Sequence, residues 1–170
     1  MAAIYLSLGS NVDRHKNIAA ALDALAALLG ELTISSVYES KSVGFDGNNF
    51  FNLVVGAQTV LSIAELSENL KRIEDANGRK RNGPKFSPRT LDIDILTYGD
   101  FVGVESGVEL PRAEITKNAF VLLPLAEIAP QVLHPQVQKS YQQLWAEYDQ
   151  PSQSLWAIDF EWRDRTISRA

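Results

Sequence analysis

An α+β fold with the element order β-α-β-β-α-β is predicted by three features of the chain. Four segments alternate in hydrophobicity with period two, two segments carry helical apolar stripes, and Gly, Asn and Ser punctuate the junctions. That order is the one found in a ferredoxin-like split βαβ sheet with both helices on one face. Ile4, Leu6 and Leu8 form the first strand, which ends at Gly9-Ser10-Asn11. A helix follows with the stripe Ile18, Leu22, Leu25 and Leu29, and Gly30 stops it. Leu32 to Tyr38 and Phe51 to Gln58 read as two strands joined by a long polar loop from Glu39 to Asn49. Ser62 and Glu65 form a capping box for a second helix with the stripe Ile63, Leu66, Leu70 and Ile73, closed by Asn77-Gly78. The fourth strand is Asp92 to Tyr98. Beyond it come a hairpin-like region, a helix from Asn118 to Ala129, a smaller helix from Tyr141 to Tyr148, and an added strand from Trp156 to Trp162.

A chain of 170 residues that is 45% hydrophobic suffices for one domain with a full core, so residues 1–170 are expected to form a single unit. Residues 149–170 read as a C-terminal extension, either an edge strand or a partner-binding element. The absence of cysteine excludes disulfides, thiolate metal sites and thiol nucleophiles. No cationic leader precedes the first strand and no apolar run reaches membrane-spanning length, so a cytoplasmic protein with no membrane partner is expected. The net charge of -5 argues against general nucleic-acid binding.

Against that acidic background, Gly78 to Arg89 carries five cationic side chains and no acidic one. Its Gly and Pro content makes it a loop, and its sign makes it a local anion receptor. Gly83 is followed by Pro84 and Lys85, so the G-x-x-x-x-G-K-[ST] phosphate loop is absent. Immediately downstream, Asp92-Ile93-Asp94-Ile95 places two carboxylates on one face of a strand and two isoleucines on the other. A bare D-x-D is more often the solvated face of an antiparallel strand. Beside a cationic loop it becomes a two-part device, in which hard oxygen ligands suit Mg²⁺ and guanidinium forks suit phosphate oxygens.

Gly9-Ser10-Asn11 lacks the frame of a nucleophilic serine, and helix capping by Ser or Asn is the better expectation. His15 and His134 have no triad context. Phe50 and Asn52 share one strand face and Phe51 takes the other, so an aromatic and an amide can together hold a flat heterocycle.

These motifs, with Pro88-Arg89-Thr90-Leu91-Asp92-Ile93-Asp94-Ile95-Leu96 and Phe120-Val121-Leu122-x-Pro124 to Pro130, resemble the 6-hydroxymethyl-7,8-dihydropterin pyrophosphokinase family over roughly residues 3 to 135. The resemblance implies a three-layer ferredoxin-like sandwich acting on a small-molecule pterin; the C-terminal additions lie outside it, and a monomer is expected. It also implies ATP as co-substrate, two Mg²⁺ ions, and transfer of pyrophosphate to the pterin hydroxymethyl group with release of AMP in folate biosynthesis. Carried over by position, Asp92 and Asp94 hold metal, and Arg79 and Arg89 bind the transferring phosphates and are catalytic. Lys71, Arg81, Lys85, Ile95 and Arg112 line the ATP site. Ser40, Val43, Phe50, Asn52, Phe86 and Phe120 line the pterin site.

Several positions depart from the family pattern. Arg112 stands where a histidine is usual, Ala113 where an aromatic is common, and Asn118 where an arginine often sits. Phe86 replaces a tryptophan, and Lys41-Ser42 replaces the usual proline before Gly44. The alternatives to a working enzyme are a diverged pterin- or nucleotide-binding paralogue with little turnover, and a structural module whose tail recruits a partner.

Overall fold

The computed structural model describes residues 1–41, 49–78 and 91–170. Its chain order is β1 (Ala2–Ser10), α1 (Arg14–Leu29), β2 (Thr33–Ile34), β3 (Tyr38–Ser40), β4 (Phe50–Thr59), α2 (Ile63–Ala76) and β5 (Asp92–Tyr98). A small hairpin follows, β6 (Gly103–Glu105) with β7 (Val108–Leu110), then α3 (Ala119–Ile128) and α4 (Tyr141–Glu147). The tail contributes β8 (Leu155–Ala157), β9 (Phe160–Trp162) and β10 (Arg165–Ser168). The expected α+β class holds. The main sheet runs β5-β1-β4-β3-β8, every pairing antiparallel, with β2 also on β4.

The sheet separates two cores. On one face Ile4, Leu6 and Leu8 of β1 and Ile93 and Ile95 of β5 pack against the α1 stripe Ile18, Leu22 and Leu25 and the α2 stripe Ile63, Leu66 and Leu70. On the other, Val54 and Leu96 meet Val121, Leu122 and Leu125 of α3 and Tyr141 of α4. Residues fully shielded from water, such as Leu6, Leu22 and Leu122, contribute on the order of 1.5–3 kcal/mol each. The capping box at Ser62 is complete, with Ser62 accepting from the Glu65 amide and Glu65 accepting from the Ser62 amide.

Four expectations are corrected. The strand expected from Leu32 to Tyr38 is split into β2 and β3, because the Ser35 hydroxyl accepts from the Val54 amide while the Ser35 amide donates to the Val54 carbonyl. The Glu127 carboxylate of α3 then takes the amide and hydroxyl of Ser36 and the hydroxyl of Tyr38, all at 2.8–3.1 Å. Side chains thus stand in for the ladder at residues 35–36. The loop expected from Glu39 begins later, since Glu39 and Ser40 pair with Phe51 and Phe50 in β3.

Helix α1 is capped neither by Ser10 nor by Asn11. Its cap is Asp13 in a left-handed conformation, and Ser10 ends β1 with its hydroxyl donating to the Val12 carbonyl. The single strand expected from Trp156 to Trp162 is two strands in different sheets, β8 on β3 and β9 on β10, with buried Phe160 and Trp162 anchoring the second against the helical face.

Strand β5 also contains one extra residue. Leu6 pairs with Ile95 and Tyr5 with Thr97, so Leu96 has no partner on β1. Its side chain enters the α3 core, and its carbonyl accepts the Arg112 amide at 2.9 Å.

Candidate active site

The face of the sheet opposite α1 and α2 carries the chemistry at one end. Gly9 is the Cα partner of Asn52 on one side and of Asp92 on the other, so the three residues form a row across β4, β1 and β5. Ser7 forms the next row with Val54 and Asp94. Residues directly opposite in a sheet project to the same side. The amide and the two carboxylates expected from sequence therefore share one face, and the residue between Asn52 and Asp92 has no side chain. A Cβ on Gly9 would lie 3.3 Å from Asn52 Oδ1 and 3.8 Å from the Phe50 ring.

On the β4 side of this row, buried Asn52 donates from Nδ2 to the Ser40 hydroxyl at 2.7 Å, and Phe50 is half-buried beside it. This brings together three of the expected pterin-site residues. Phe120, in the first turn of α3, is half-buried against the second core. Val43 and Phe86 lie outside the described residues.

On the β5 side, Asp92, Asp94 and Ile95 open onto a cleft of about 470 Å³ between α2, the β6-β7 hairpin and the segment 112–114. Lys71 and Arg112 line the same cleft, so all the described residues expected to bind metal or nucleotide meet in one place. Arg79, Arg81, Lys85 and Arg89 lie outside the described residues. Burial pushes the Asp94 carboxyl up to about 7, and the Asp92 charge adds to it. Arg112 opposes this rise, while Glu74 and Glu114 reinforce it. The Arg112 guanidinium is 3.6 Å from Asp94 Oδ1 and also pairs with Glu114. The Arg112 guanidinium is thus shared between Asp94 and Glu114.

Such a pair fits Mg²⁺, which takes one or two protein carboxylates and completes its octahedron with water and substrate phosphates. No cluster of three or more His, Cys, Asp or Glu side chains able to hold a metal occurs among the described residues.

Sequence reasoning missed two residues of the site. Glu74 is buried and accepts the Ile93 amide at 2.8 Å, satisfying a backbone donor on the outer edge of β5. Its signal was a charge on the buried side of α2, four residues after Leu70. Arg14 bonds the Glu39 carboxylate at 3.1 Å and the Asn49 carbonyl at 3.0 Å, and its guanidinium lies 4.0 Å over the Phe51 ring. No local pattern marks Arg14, because its partners come from 25 and 35 residues away. The histidines are structural: His15 stacks on Phe160, and His134 Nδ1 accepts the amides of Gln136 and Val137.

A family model described as 7,8-dihydro-6-hydroxymethylpterin-pyrophosphokinase (HPPK) matches residues 5–130. The chain belongs to this family. It is 44% identical over 137 residues to the 2-amino-4-hydroxy-6-hydroxymethyldihydropteridine pyrophosphokinase of Aquifex aeolicus, covering 79% of this chain and 85% of that one. The enzyme of the same name from Porphyromonas gingivalis is 39% identical over 142 residues, covering 80% of this chain and 96% of its own. Among solved structures, wild-type HPPK-DHPS of Plasmodium falciparum with pteroate superposes with a TM-score of 0.75 at 15% identity over 98% of this chain. This chain spans 47% of that longer protein, and the likeness concerns the fold alone. Relatives named as pyrophosphokinases at this identity do not favour a non-catalytic paralogue. No helix among the described residues is long and apolar enough to cross a membrane.

Proposed function

We propose that this HPPK-family chain transfers pyrophosphate from ATP to the hydroxymethyl group of 6-hydroxymethyl-7,8-dihydropterin, releasing AMP, as a step of folate biosynthesis. The carrying observation is the row Asn52–Gly9–Asp92, which joins a hydrogen-bonding pocket to a carboxylate pair across a residue with no side chain. The strand order β5-β1-β4-β3 supports reading the core as a ferredoxin-like, three-layer sandwich in one domain.

In this reading the pterin lies on the Asn52 side, with Asn52 and Ser40 reading its polar edge and Phe50, Phe86 and Phe120 bounding its ring. The triphosphate occupies the cleft at β5, with Lys71, Arg81, Lys85, Ile95 and Arg112 around the nucleotide. Asp92 and Asp94 hold two Mg²⁺ ions, whose chemistry is to neutralise phosphate charge and fix the triphosphate. Arg79 and Arg89 bind the phosphates in transfer and stabilise charge at the β-phosphorus.

The reaction needs no protein nucleophile. The substrate's alcohol oxygen bonds to the β-phosphorus, the bond from that phosphorus to the α,β-bridging oxygen breaks, and the hydroxyl proton passes to solvent. Catalysis then rests on alignment and preorganised charge, which suits a site without a reactive serine, cysteine or histidine.

The test is nucleotide turnover by the purified chain with Mg²⁺. Conversion of ATP to AMP should require 6-hydroxymethyl-7,8-dihydropterin and yield its pyrophosphate ester. AMP formation independent of the pterin, or none with it, rejects the reading.

A further inference from the structure

Strand β3 holds Ser40, the hydrogen-bond partner of Asn52, yet it is only three residues long. On one side it pairs with β4, and on the other with β8 of the tail: Tyr38 with Ala157, Glu39 with Trp156, Ser40 with Leu155. Next to Ser40, the Glu39 carboxylate has neighbours in three directions. Arg14 reaches it from the start of α1 at 3.1 Å, Asn49 from the residue before β4 at 3.1 Å, and Trp156 of β8 stands opposite Glu39 in register, its side chain on the same side of the sheet. Burial would raise this carboxyl, but these hydrogen bonds and the Arg14 charge hold it below its ordinary range, so it stays an ionised acceptor. Arg14 also binds the Asn49 carbonyl, so one guanidinium brackets residues 39 and 49.

We infer that Trp156 and Arg14, acting through Glu39, are positioning residues for the pterin pocket, and that the tail strand sets substrate affinity although it lies outside the stretch shared with the family model. The inference rests on reading Ser40 and Asn52 as pterin-binding residues. Glu39 pairs with Phe51, whereas Ser40 and Asn52 face the opposite side of the sheet. Trp156 and Arg14 therefore act through the backbone of β3 and β4. Their contacts fix the separation of the two strands where Ser40 and Asn52 meet. The cleft at β5 is two strands away from β4 in the sheet. Nucleotide binding should accordingly be insensitive to them.

Trp156 is 41% exposed, so Trp156→Ala removes the side chain beside Glu39 with little risk to folding. Truncation would also remove core residues Phe160 and Trp162 and is the poorer variant. Steady-state rates for Trp156→Ala, Arg14→Met and the double variant, with pterin titrations in saturating Mg²⁺ and α,β-methylene-ATP, separate the two sites. Each single variant should raise the pterin KM and Kd by about fivefold or more, with kcat and the ATP KM within about twofold. Glu39→Gln keeps an acceptor for Asn49 and should fall between wild type and Arg14→Met. Unchanged pterin affinity in the variants, or equal losses for pterin and ATP, overturns the inference while leaving the reading of the site intact. A wild-type protein that binds no pterin overturns both.

Discussion

Asn52 and Asp92 are both register partners of Gly9, so the amide of one pocket and the carboxylate of the other stand in a single row two strand spacings apart, roughly 10 Å. A gap of that size suits two ligands that must meet between the two residues.

Gly9→Ala should damage pterin binding without unfolding the protein. The new methyl group would press on Asn52 Oδ1 at 3.3 Å, and buried Asn52 is tied to Ser40, so relief means moving the reading amide. A rise in pterin KM of about tenfold with a near-normal ATP KM is expected in steady-state assays. A variant with wild-type pterin KM would show that the gap is not used.

Asn52→Ala should weaken pterin binding by about tenfold or more and leave the affinity for ATP analogue within about twofold, because a pocket built around an amide loses its hydrogen-bond complement. Calorimetry with each ligand separately checks this. Equal loss for both would mean that the sheet itself has been disturbed.

Asp94→Asn should abolish Mg²⁺-dependent turnover and also change the pH dependence of stability in metal-free protein. The folded-state pKa is raised from 3.8 to about 7, so this carboxyl's contribution is fully present below about pH 4 and is lost as pH rises through 7. The asparagine lacks that loss. Thermal melts without metal should therefore place the variant above wild type at pH 8 and level with it near pH 4. Mg²⁺ affinity of the wild type should fall as pH drops below 7, since protons then compete for Asp94. A stability difference independent of pH would refute this.

Arg112→Ala should raise the ATP KM or lower the rate by about tenfold, whereas Arg112→His should retain activity. The guanidinium is held between Asp94 and Glu114, within the cleft proposed for the nucleotide. A bound triphosphate would offer it a stronger, ionised partner. Its removal also takes away a charge that opposes the rise at Asp94, so the variant's Mg²⁺ dependence should shift to higher pH. Unchanged kinetics in the alanine variant would remove Arg112 from the nucleotide site.

Much of this arrangement was legible in the sequence because it depends on local periodicity. Period two put Asp92 and Asp94 on one face and Ile93 and Ile95 on the other, and helical stripes identified the packed faces of α1 and α2. What could not be read depends on partners distant in sequence. The break between β2 and β3 is made by Ser35 and by Glu127 of α3, 91 residues from Ser36. The tail looked like one strand because Trp156 to Trp162 alternates, but Ile158 donates its amide to the Val37 carbonyl and the chain then turns away to β9. The site followed the same division. Residue types in β4 and β5 were visible, whereas Glu74 on the edge of β5 and Arg14 across the β3-β4 stems became meaningful only through tertiary contact.

The unpaired Leu96 makes β5 editable at one position. Without it, Asp92 through Ile95 followed by Thr97 and Tyr98 would form an uninterrupted alternating strand, each residue keeping its present partner on β1. Deleting Leu96 would thus spare the register, and with it the row through Gly9, while withdrawing the carbonyl that fastens the Arg112 backbone and one side chain from the α3 core. The spacing between the carboxylates and the segment carrying Arg112 can therefore be retuned by gain or loss of a single amino acid, leaving the heterocycle-binding half of the sheet as it was.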